Sequence, residues 1–292
     1  MSPTLARDDP KRFHALEFGC GWGAGCIETC LMYPVSKISF RQQVLGYNIM
    51  GALKDIKNEG FPLLYRGLMP PLIMRTTSRA VMFGLYDKFL TSFGGTKYIR
   101  GSPIITKERA QAAFMAGTCE ATMAPLERIQ VLLQAKKYNS VFKNTGDAFI
   151  NILKEHGIRE CYRGISLVVA RNGLSNIMYF NLRGPCKLYI MDKAESENSH
   201  FLHIIGDFIS GALLGATIST VFFPLNVVKN NVQSGLGKEA ESPRQALRRI
   251  LKERGGIRQL YRGVHVNAFR SLCGWGITTA AYEGLLRFGT NI

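Results

Sequence analysis

The stretch "CLMYPVSKISFRQQ" (Cys30–Gln43) returns twice in altered form, as "ATMAPLERIQVLLQ" (Ala121–Gln134) and "TVFFPLNVVKNNVQ" (Thr220–Gln233). Each copy is an apolar run that meets a proline (Pro34, Pro125, Pro224) and reaches a glutamine nine residues later (Gln43, Gln134, Gln233). The prolines are 91 and 99 residues apart. A second marker, Tyr-Arg-Gly, recurs at 65–67, 162–164 and 261–263, with spacings of 97 and 99 residues. Two independent markers in three matched registers establish internal repetition, and repetition governs the whole fold. The units run from about 13–95, 105–192 and 200–290 within a single domain covering 1–292.

Each unit reads the same way. A long apolar helix kinks at its proline, which removes a backbone donor and clashes with the preceding turn. A short amphipathic helix follows, with apolar Ile49, Leu53 and Ile56, then Phe149, Ile152 and Leu153, then Leu247, Ile250 and Leu251. It ends at Gly60, Gly157 or Gly255, each suited to a left-handed cap. Tyr-Arg-Gly and a second long helix complete the unit. The expected fold is an all-α membrane protein of six transmembrane helices in three pseudosymmetric pairs.

Composition sharpens this. The chain has 292 residues, 46% of them hydrophobic, and a net charge of +16. Such an excess calls for nucleic acid, an anionic membrane or an anionic ligand. One stretch of 21 residues, Phe208–Val228, is free of charge and long enough to span a bilayer. The other apolar stretches, near 18–43, 69–93, 107–134, 166–190 and 264–288, carry isolated charges. Inside a span such charges face water or a partner. The segments joining paired spans (44–66, 135–163, 234–262) sum to +1, +3 and +5, whereas 91–106 and 191–200 sum to +2 and −2. Positive charge favours the inner side, so the short helices face inward and both termini face outward. Because the charge lies in these loops and within the spans, nucleic acid is not an expected partner. Seven cysteines form no C-x-x-C pair, so no metal site is expected. The first dozen residues contain Asp8 and Asp9 and no apolar run, so neither a secretory signal nor a transit peptide is expected there.

"FGCGWGAGC" (Phe18–Cys26) contains G-x-G-x-x-A, the loose form of a dinucleotide-binding turn. Its context is wrong: no β-branched strand precedes it, Pro34 interrupts the following helix, and no acid lies between Glu28 and Asp55. A soluble dinucleotide enzyme is therefore not expected. Gly19, Gly21, Gly23 and Gly25 instead form overlapping G-x-x-x-G pairs, and Gly211 and Gly215 form another. Such pairs let helices approach closely.

With these motifs the chain resembles the mitochondrial carrier family over nearly its whole length, and the proline segments stand where the family signature P-x-[DE]-x-x-[KR] falls, each departing from it at one or both charged positions. The resemblance implies a transporter, not an enzyme, with no catalytic residues and no bound cofactor. It implies a monomer of the mitochondrial inner membrane, multi-pass, with termini in the intermembrane space and alternating access to a central site. In the family, the acidic position of one repeat pairs with the basic position of the next to close the matrix gate. Those positions are Ser36 and Ser39, Glu127 and Gln130, and Asn226 and Lys229 here, so Glu127–Lys229 alone can be ionic. Neutral hydrogen bonds contribute about 1 kcal/mol net, so a weak latch is expected, braced by Gln43, Gln134 and Gln233. The cytoplasmic gate reduces to Asp87, Lys187 and Glu283. Gly67, Gly164 and Gly263 head the turns that hold cardiolipin phosphate in the family, and helix-start amides suit anions.

The family's contact points lie seven or eight residues after these glycines. They fall on Met74 and Arg75, on Arg171 and Asn172, and on Arg270. Three arginines at one depth imply a cavity for an anion, because guanidinium forks match phosphate and carboxylate. Glu120 breaks the symmetry, with Thr29 and Ser219 at the equivalent places. Glu28 lies near the top of the first span, and Trp275, Asn176 and Tyr179 are read as packing. The strings "APLERIQVLLQ", "LRGP", "FFPLNVVK" and "RSLCGWGI" resemble the NAD-carrying branch of the family. That implies import of NAD, with arginines on the pyrophosphate and Glu120 on the nicotinamide cation. The alternatives are a carrier for a nucleotide, coenzyme A or a dicarboxylate, or a non-transporting membrane adaptor with the same fold.

Overall fold

The computed structural model describes residues 10–98, 102–194, 200–237 and 241–290, with no strand among them. The side chains of Arg75, Lys187 and Glu283 lie outside the described residues. The first repeat comprises α1 (Pro10–Leu45), α2 (Ile49–Glu59) and α3 (Met69–Ser92). The second comprises α4 (Lys107–Glu120), α5 (Ala124–Gln134), α6 (Thr145–His156), α7 (Ile158–Cys161) and α8 (Ile165–Ala194). The third comprises α9 (His200–Val221), α10 (Phe223–Gln233), α11 (Pro243–Arg254) and α12 (Val264–Thr290). The long helices pack in circular order: α1 on α12, α12 on α9, α9 on α8, α8 on α4, α4 on α3, and α3 more thinly back on α1.

The proline kink takes two forms. In the second repeat a 3-10 turn, Ala121–Met123, separates α4 from α5, and in the third the chain bends by 60° at Phe222. Both prolines then sit in the first turn of the new helix, where the missing N–H is an orphan anyway. In the first repeat α1 continues through Pro34. Among the described residues no single helix is long and apolar enough to cross a membrane; the bent pair Ser210–Val221 and Phe223–Gln233 is. Charged and polar groups interrupt the others, as Arg171, Asn172, Asn176 and Asn181 do along α8.

The short helices α2, α6 and α11 bury a narrower face than their leucines suggest. Ala52 and Ile56, Ala148 and Ile152, and Ala246 and Ile250 are buried, while Leu53, Phe149 and Leu247 are exposed. Alanine allows close approach where a larger residue would not fit. Of the three capping glycines only Gly255 is left-handed; Gly60 and Gly157 combine φ 90° and 78° with extended ψ.

The slot three residues after each proline differs among repeats. Lys37 meets Glu59 at 3.2 Å, Arg128 meets Glu160 at 2.6 Å, and Val227 sits in an apolar cluster with Ile250 and Leu260. Arg41 reinforces the first slot through Glu59 and Asp55, and all three cations are buried. Burying a pair is near neutral, but removing one partner costs about 3–5 kcal/mol.

The repeats are tied head to tail on the side of the short helices. Arg66 donates to the carbonyls of Tyr138 at 3.0 Å and Asn139 at 2.7 Å, and to that of Phe142. Arg128 donates to Gly235 O at 2.6 Å, and Arg254 to Gln43 O and Val44 O at 2.5 and 3.1 Å. Each cation thus meets carbonyls near the C-terminal end of a helix in the next repeat, where the backbone is electronegative. Burial lowers the Arg66 guanidinium from its usual pKa range.

The Tyr-Arg-Gly glycines follow the same cyclic order. Gly67, Gly164 and Gly263 have φ of 83°, 79° and 94° and pack on α5, α10 and α1 respectively. A Cβ on Gly67 would lie 2.9 Å from Tyr33 Oη and 3.1 Å from Leu133 Cβ. Gly67→Ala therefore lowers stability by about 1–3 kcal/mol through strain and overpacking. Gly94→Ala, with similar φ but open space around it, is milder. Thermal unfolding of the two purified variants checks the order.

The glycines of "FGCGWGAGC" do not form the close-packed surface expected of them. A Cβ on Gly19, Gly21 or Gly25 would meet nothing within 4 Å; only Gly23 faces a neighbour, Leu285, at 3.0 Å. The expectation holds better in α9, where Gly211 and Gly215 both abut Trp275.

Candidate functional site

The post-proline segments converge on a polar cavity of ≈ 240 Å³. Glu127 from α5 and Lys229 from α10 line it and are hydrogen-bonded to each other, with side chains 15% and 6% exposed. Among the described residues this is the ion pair that joins two post-proline segments.

The other two expected gate contacts do not cross between repeats. Ser36 donates to Met32 O in its own helix at 3.0 Å, and Ser39 accepts from Gln43 at 3.0 Å. Gln130 and Asn226 line the cavity. The seams are closed by neighbours instead. Asn230 donates to Gln43 Oε1 at 2.6 Å, and Asn231 to Gln43 O at 2.9 Å, which joins α10 to α1. Gln134 donates to Tyr33 Oη at 3.2 Å, and Tyr33 donates to Arg66 O at 2.6 Å, which joins α5 to α1. Gln233 is buried against Gly164, with neither side-chain oxygen nor nitrogen hydrogen-bonded among the described residues.

Arg171 on α8 and Arg270 on α12 line the same cavity, together with Asn267 and Glu28. Arg171 donates to Asn172 Oδ1 at 2.8 Å, and Asn172 is buried. Met74 lines neither this cavity nor a second one of ≈ 180 Å³ that shares Glu28 and Arg270 with it. Glu120 also lines neither; its charged neighbour is Arg171, with Ser78 and Asn176 close by. Arg75 lies outside the described side chains. The cavity therefore gathers two of the three expected arginines and adds Glu28, which stands eight residues before Ser36 and directly before Thr29, a place that carries no motif.

At the opposite end Asp87 pairs with Lys97 at 3.1 Å on the surface. The expected partners Lys187 and Glu283 fall outside the described side chains. Next to Asp87, Tyr86 is buried and stacks on Phe180 with ring centroids 3.6 Å apart. Where the other repeats carry an aromatic-acid pair, Arg183 lies over the rings of Phe83 and Tyr179 at 5.5 and 5.7 Å. At the Tyr-Arg-Gly turns, Arg66 and Arg163 are engaged by protein carbonyls and by Glu160, while Arg262 is exposed.

The cavity thus gathers Arg171, Arg270 and Lys229 against Glu28 and Glu127, an excess of positive charge, and among the described residues there is no metal-ligand cluster. Comparison with known proteins points the same way. The family model "Mitochondrial carrier protein" matches residues 11–97, 106–194 and 201–291. The chain is 43% identical over 270 residues to the human mitochondrial nicotinamide adenine dinucleotide transporter SLC25A52, covering 92% of this chain and 88% of that one. It is 42% identical to human SLC25A51, a transporter of the same description, with the same coverage. A more distant relative is the mitochondrial citrate transporter D of Aspergillus niger, 26% identical over 94% of each chain.

Proposed function

The chain belongs to the mitochondrial carrier family, and from that premise we propose that it is a transporter of the mitochondrial inner membrane that imports NAD into the matrix. The observation that carries this reading is the one cavity shared by Arg171, Arg270 and the Glu127–Lys229 pair. Arginine forks bind a pyrophosphate bidentately, and relatives more than 40% identical are named as transporters of this dinucleotide.

The long helices α1, α3, α4–α5, α8, α9–α10 and α12 are the six spans of this reading. Of their interior charges, Arg171, Arg270, Glu127 and Lys229 line the cavity and Lys37, Arg41 and Arg128 are buried in ion pairs, so these do not face lipid. The short helices lie at the matrix surface, with Leu53, Phe149 and Leu247 toward the lipid, and both termini lie in the intermembrane space. The Tyr-Arg-Gly turns are the cardiolipin sites: the N–H groups of Gly67, Gly164 and Gly263 take no backbone acceptor among the described residues and are free for phosphate. The transporter works as a monomer by alternating access. Uptake of a panel of labelled solutes into proteoliposomes tests the substrate. Saturable NAD uptake supports the proposal; preference for coenzyme A, a free nucleotide or a dicarboxylate, or no uptake of any solute by folded protein, defeats it.

Between the post-proline segments the matrix gate is latched by one ion pair and by neutral hydrogen bonds of about 1 kcal/mol each, while the Arg66, Arg128 and Arg254 contacts hold the short-helix ends. A latch this light opens without a counter-substrate. Uptake into liposomes that contain buffer alone therefore proceeds at a rate within about threefold of that into NAD-loaded ones. Strict dependence on internal substrate contradicts this.

A further inference from the structure

The far half of α8 carries a cation that the central cavity does not use. Arg183 is exposed, lies over the rings of Phe83 on α3 and Tyr179 on α8, and meets no carboxylate among the described residues. Its distances of 5.5 and 5.7 Å to the two ring centroids suit a cation–π contact. Beneath it Phe83, Tyr179 and Phe180 pack edge to face, and Phe180 stacks on the buried Tyr86. The guanidinium therefore rests on a packed aromatic floor.

The helix aims this group into the bundle. Asn172, Asn176, Tyr179 and Arg183 follow one another at steps of four, three and four residues, which puts them on one face of α8. Asn172 and Asn176 are buried, and the exposed Leu174 lies on the opposite face. The place is also kept positive. Gly184 stands in the register that holds Asp87 and Glu283 in the other repeats. A Cβ on Gly184 would come within 2.5 Å of the Tyr98 ring, which itself lies 5.6 Å from the Arg109 guanidinium. A carboxylate there would have to displace Tyr98. Asp87, one turn beyond Phe83 on α3, is taken by Lys97 at 3.1 Å.

A guanidinium stacked on one face keeps its N–H donors at the edge, the geometry that grips phosphate oxygens. Arg171 lies earlier on the same helix, about 18 Å away at the α-helical rise. One pyrophosphate cannot touch both, so Arg183 is a separate station.

We propose that Arg183, spread over Phe83 and Tyr179, is a reception site at the outer mouth for the phosphates of an incoming nucleotide, ahead of the central cavity. The proposal rests on the transport reading above and adds a step before it. The anion is caught at the mouth and then handed down to Arg171 and Arg270. Such a site speeds encounter and leaves the later steps unchanged.

The test separates the reception site from the transport reading. Inorganic pyrophosphate is the probe, and broadening of its phosphorus resonance by the purified protein at low salt reads weak binding. In an Arg171→Ala, Arg270→Ala background, which disables the central site, broadening is expected to persist and to fall at least fourfold on adding Arg183→Gln. Arg183→Lys, which keeps the charge, is expected to recover at least half of it. If that background folds poorly, the comparison is made with the central site intact, where Arg183→Gln lowers bound pyrophosphate from two per chain to one. Broadening or stoichiometry that Arg183→Gln leaves unchanged, or a loss that Arg183→Lys does not recover at all, overturns the site. In proteoliposomes, Arg183→Gln is expected to raise the KM for NAD about fivefold at low salt, with the maximal rate within twofold of the parent. In 1 M salt, where the Debye length is about 3 Å, the difference in KM shrinks below twofold. A fall in maximal rate at unchanged KM, or a KM difference that salt does not reduce, means that Arg183 serves the structure and ends the proposal. If the unsubstituted protein takes up no nucleotide, the transport reading fails, and the pyrophosphate measurement still decides the site.

Discussion

Arg270→Ala reduces NAD uptake by two orders of magnitude or more, and Arg171→Ala does nearly as much. Both guanidinium groups line the cavity at which the matrix-side helices meet. Each charge-assisted, bidentate contact to a phosphate is about twice as strong as a neutral hydrogen bond, and hydrogen bonds to charged groups contribute about 1.5–3 kcal/mol. Losing the contact also leaves a phosphate in a partly dry site, and each 1.4 kcal/mol is about tenfold. Arg270→Lys keeps the charge and loses the fork, so it recovers only part of the rate. Arg270 lines the cavity beside the buried Glu28, so thermal unfolding of each variant is measured with uptake, and a loss of uptake that exceeds the loss of folded protein is the expected result. Kinetics resolve the roles: a rise in KM with the maximal rate preserved means uniform binding, and a fall in maximal rate means a contact made chiefly while the carrier changes state.

Glu127→Gln alone is expected to inactivate the carrier, and the charge-swapped pair Glu127→Lys with Lys229→Glu to restore much of its activity. The two side chains are largely buried and hydrogen-bonded to each other. Removing one partner leaves the other charge without compensation, at a cost of about 3–5 kcal/mol. That cost falls on the state in which α5 and α10 are drawn together, so the population shifts toward the matrix-open form and the cavity no longer alternates. The double variant rebuilds the attraction in the same place. Uptake by the singles and the double, read as a double-mutant cycle, gives the coupling. Additive losses would mean that the pair is no latch.

The sequence displayed the architecture well, because the features that dictate it are side-chain types at fixed spacing. Pro125 and Pro224, the three glutamines and the three Tyr-Arg-Gly turns stand within a few residues of a helix boundary, whereas α1 runs on through Pro34. What closes the ring was hidden for a physical reason. Arg66, Arg128 and Arg254 bind backbone carbonyls, and a carbonyl leaves no mark in a sequence. The seams also differ from the pattern the family suggests. Ser36 turns to its own helix, and Asn230 and Tyr33 take up the roles that Asn226 and Ser36 did not. Tyr33 stands directly before Pro34 and Asn230 directly after Lys229, so the signal was adjacent to the motif rather than in it. Leu53, Phe149 and Leu247 were the conspicuous apolar residues of the short helices, yet the alanines beside them are the buried ones. Hydrophobicity alone does not separate a core face from a lipid-facing one. The paired glycines gave opposite results: Gly211 and Gly215 shelter an indole, while Gly19, Gly21 and Gly25 touch nothing. The same spacing is used or unused according to what the facing helix brings.

The central claim is that this chain carries NAD whole, with its pyrophosphate on Arg171 and Arg270. It is tested most directly with NAD labelled by different isotopes in its nicotinamide and adenosine halves, supplied to proteoliposomes of the purified protein. The account predicts that both labels accumulate inside in the ratio supplied, saturably, and that both are lost together in Arg270→Ala. Accumulation of one label without the other, or uptake of both that Arg270→Ala leaves unchanged, would contradict it.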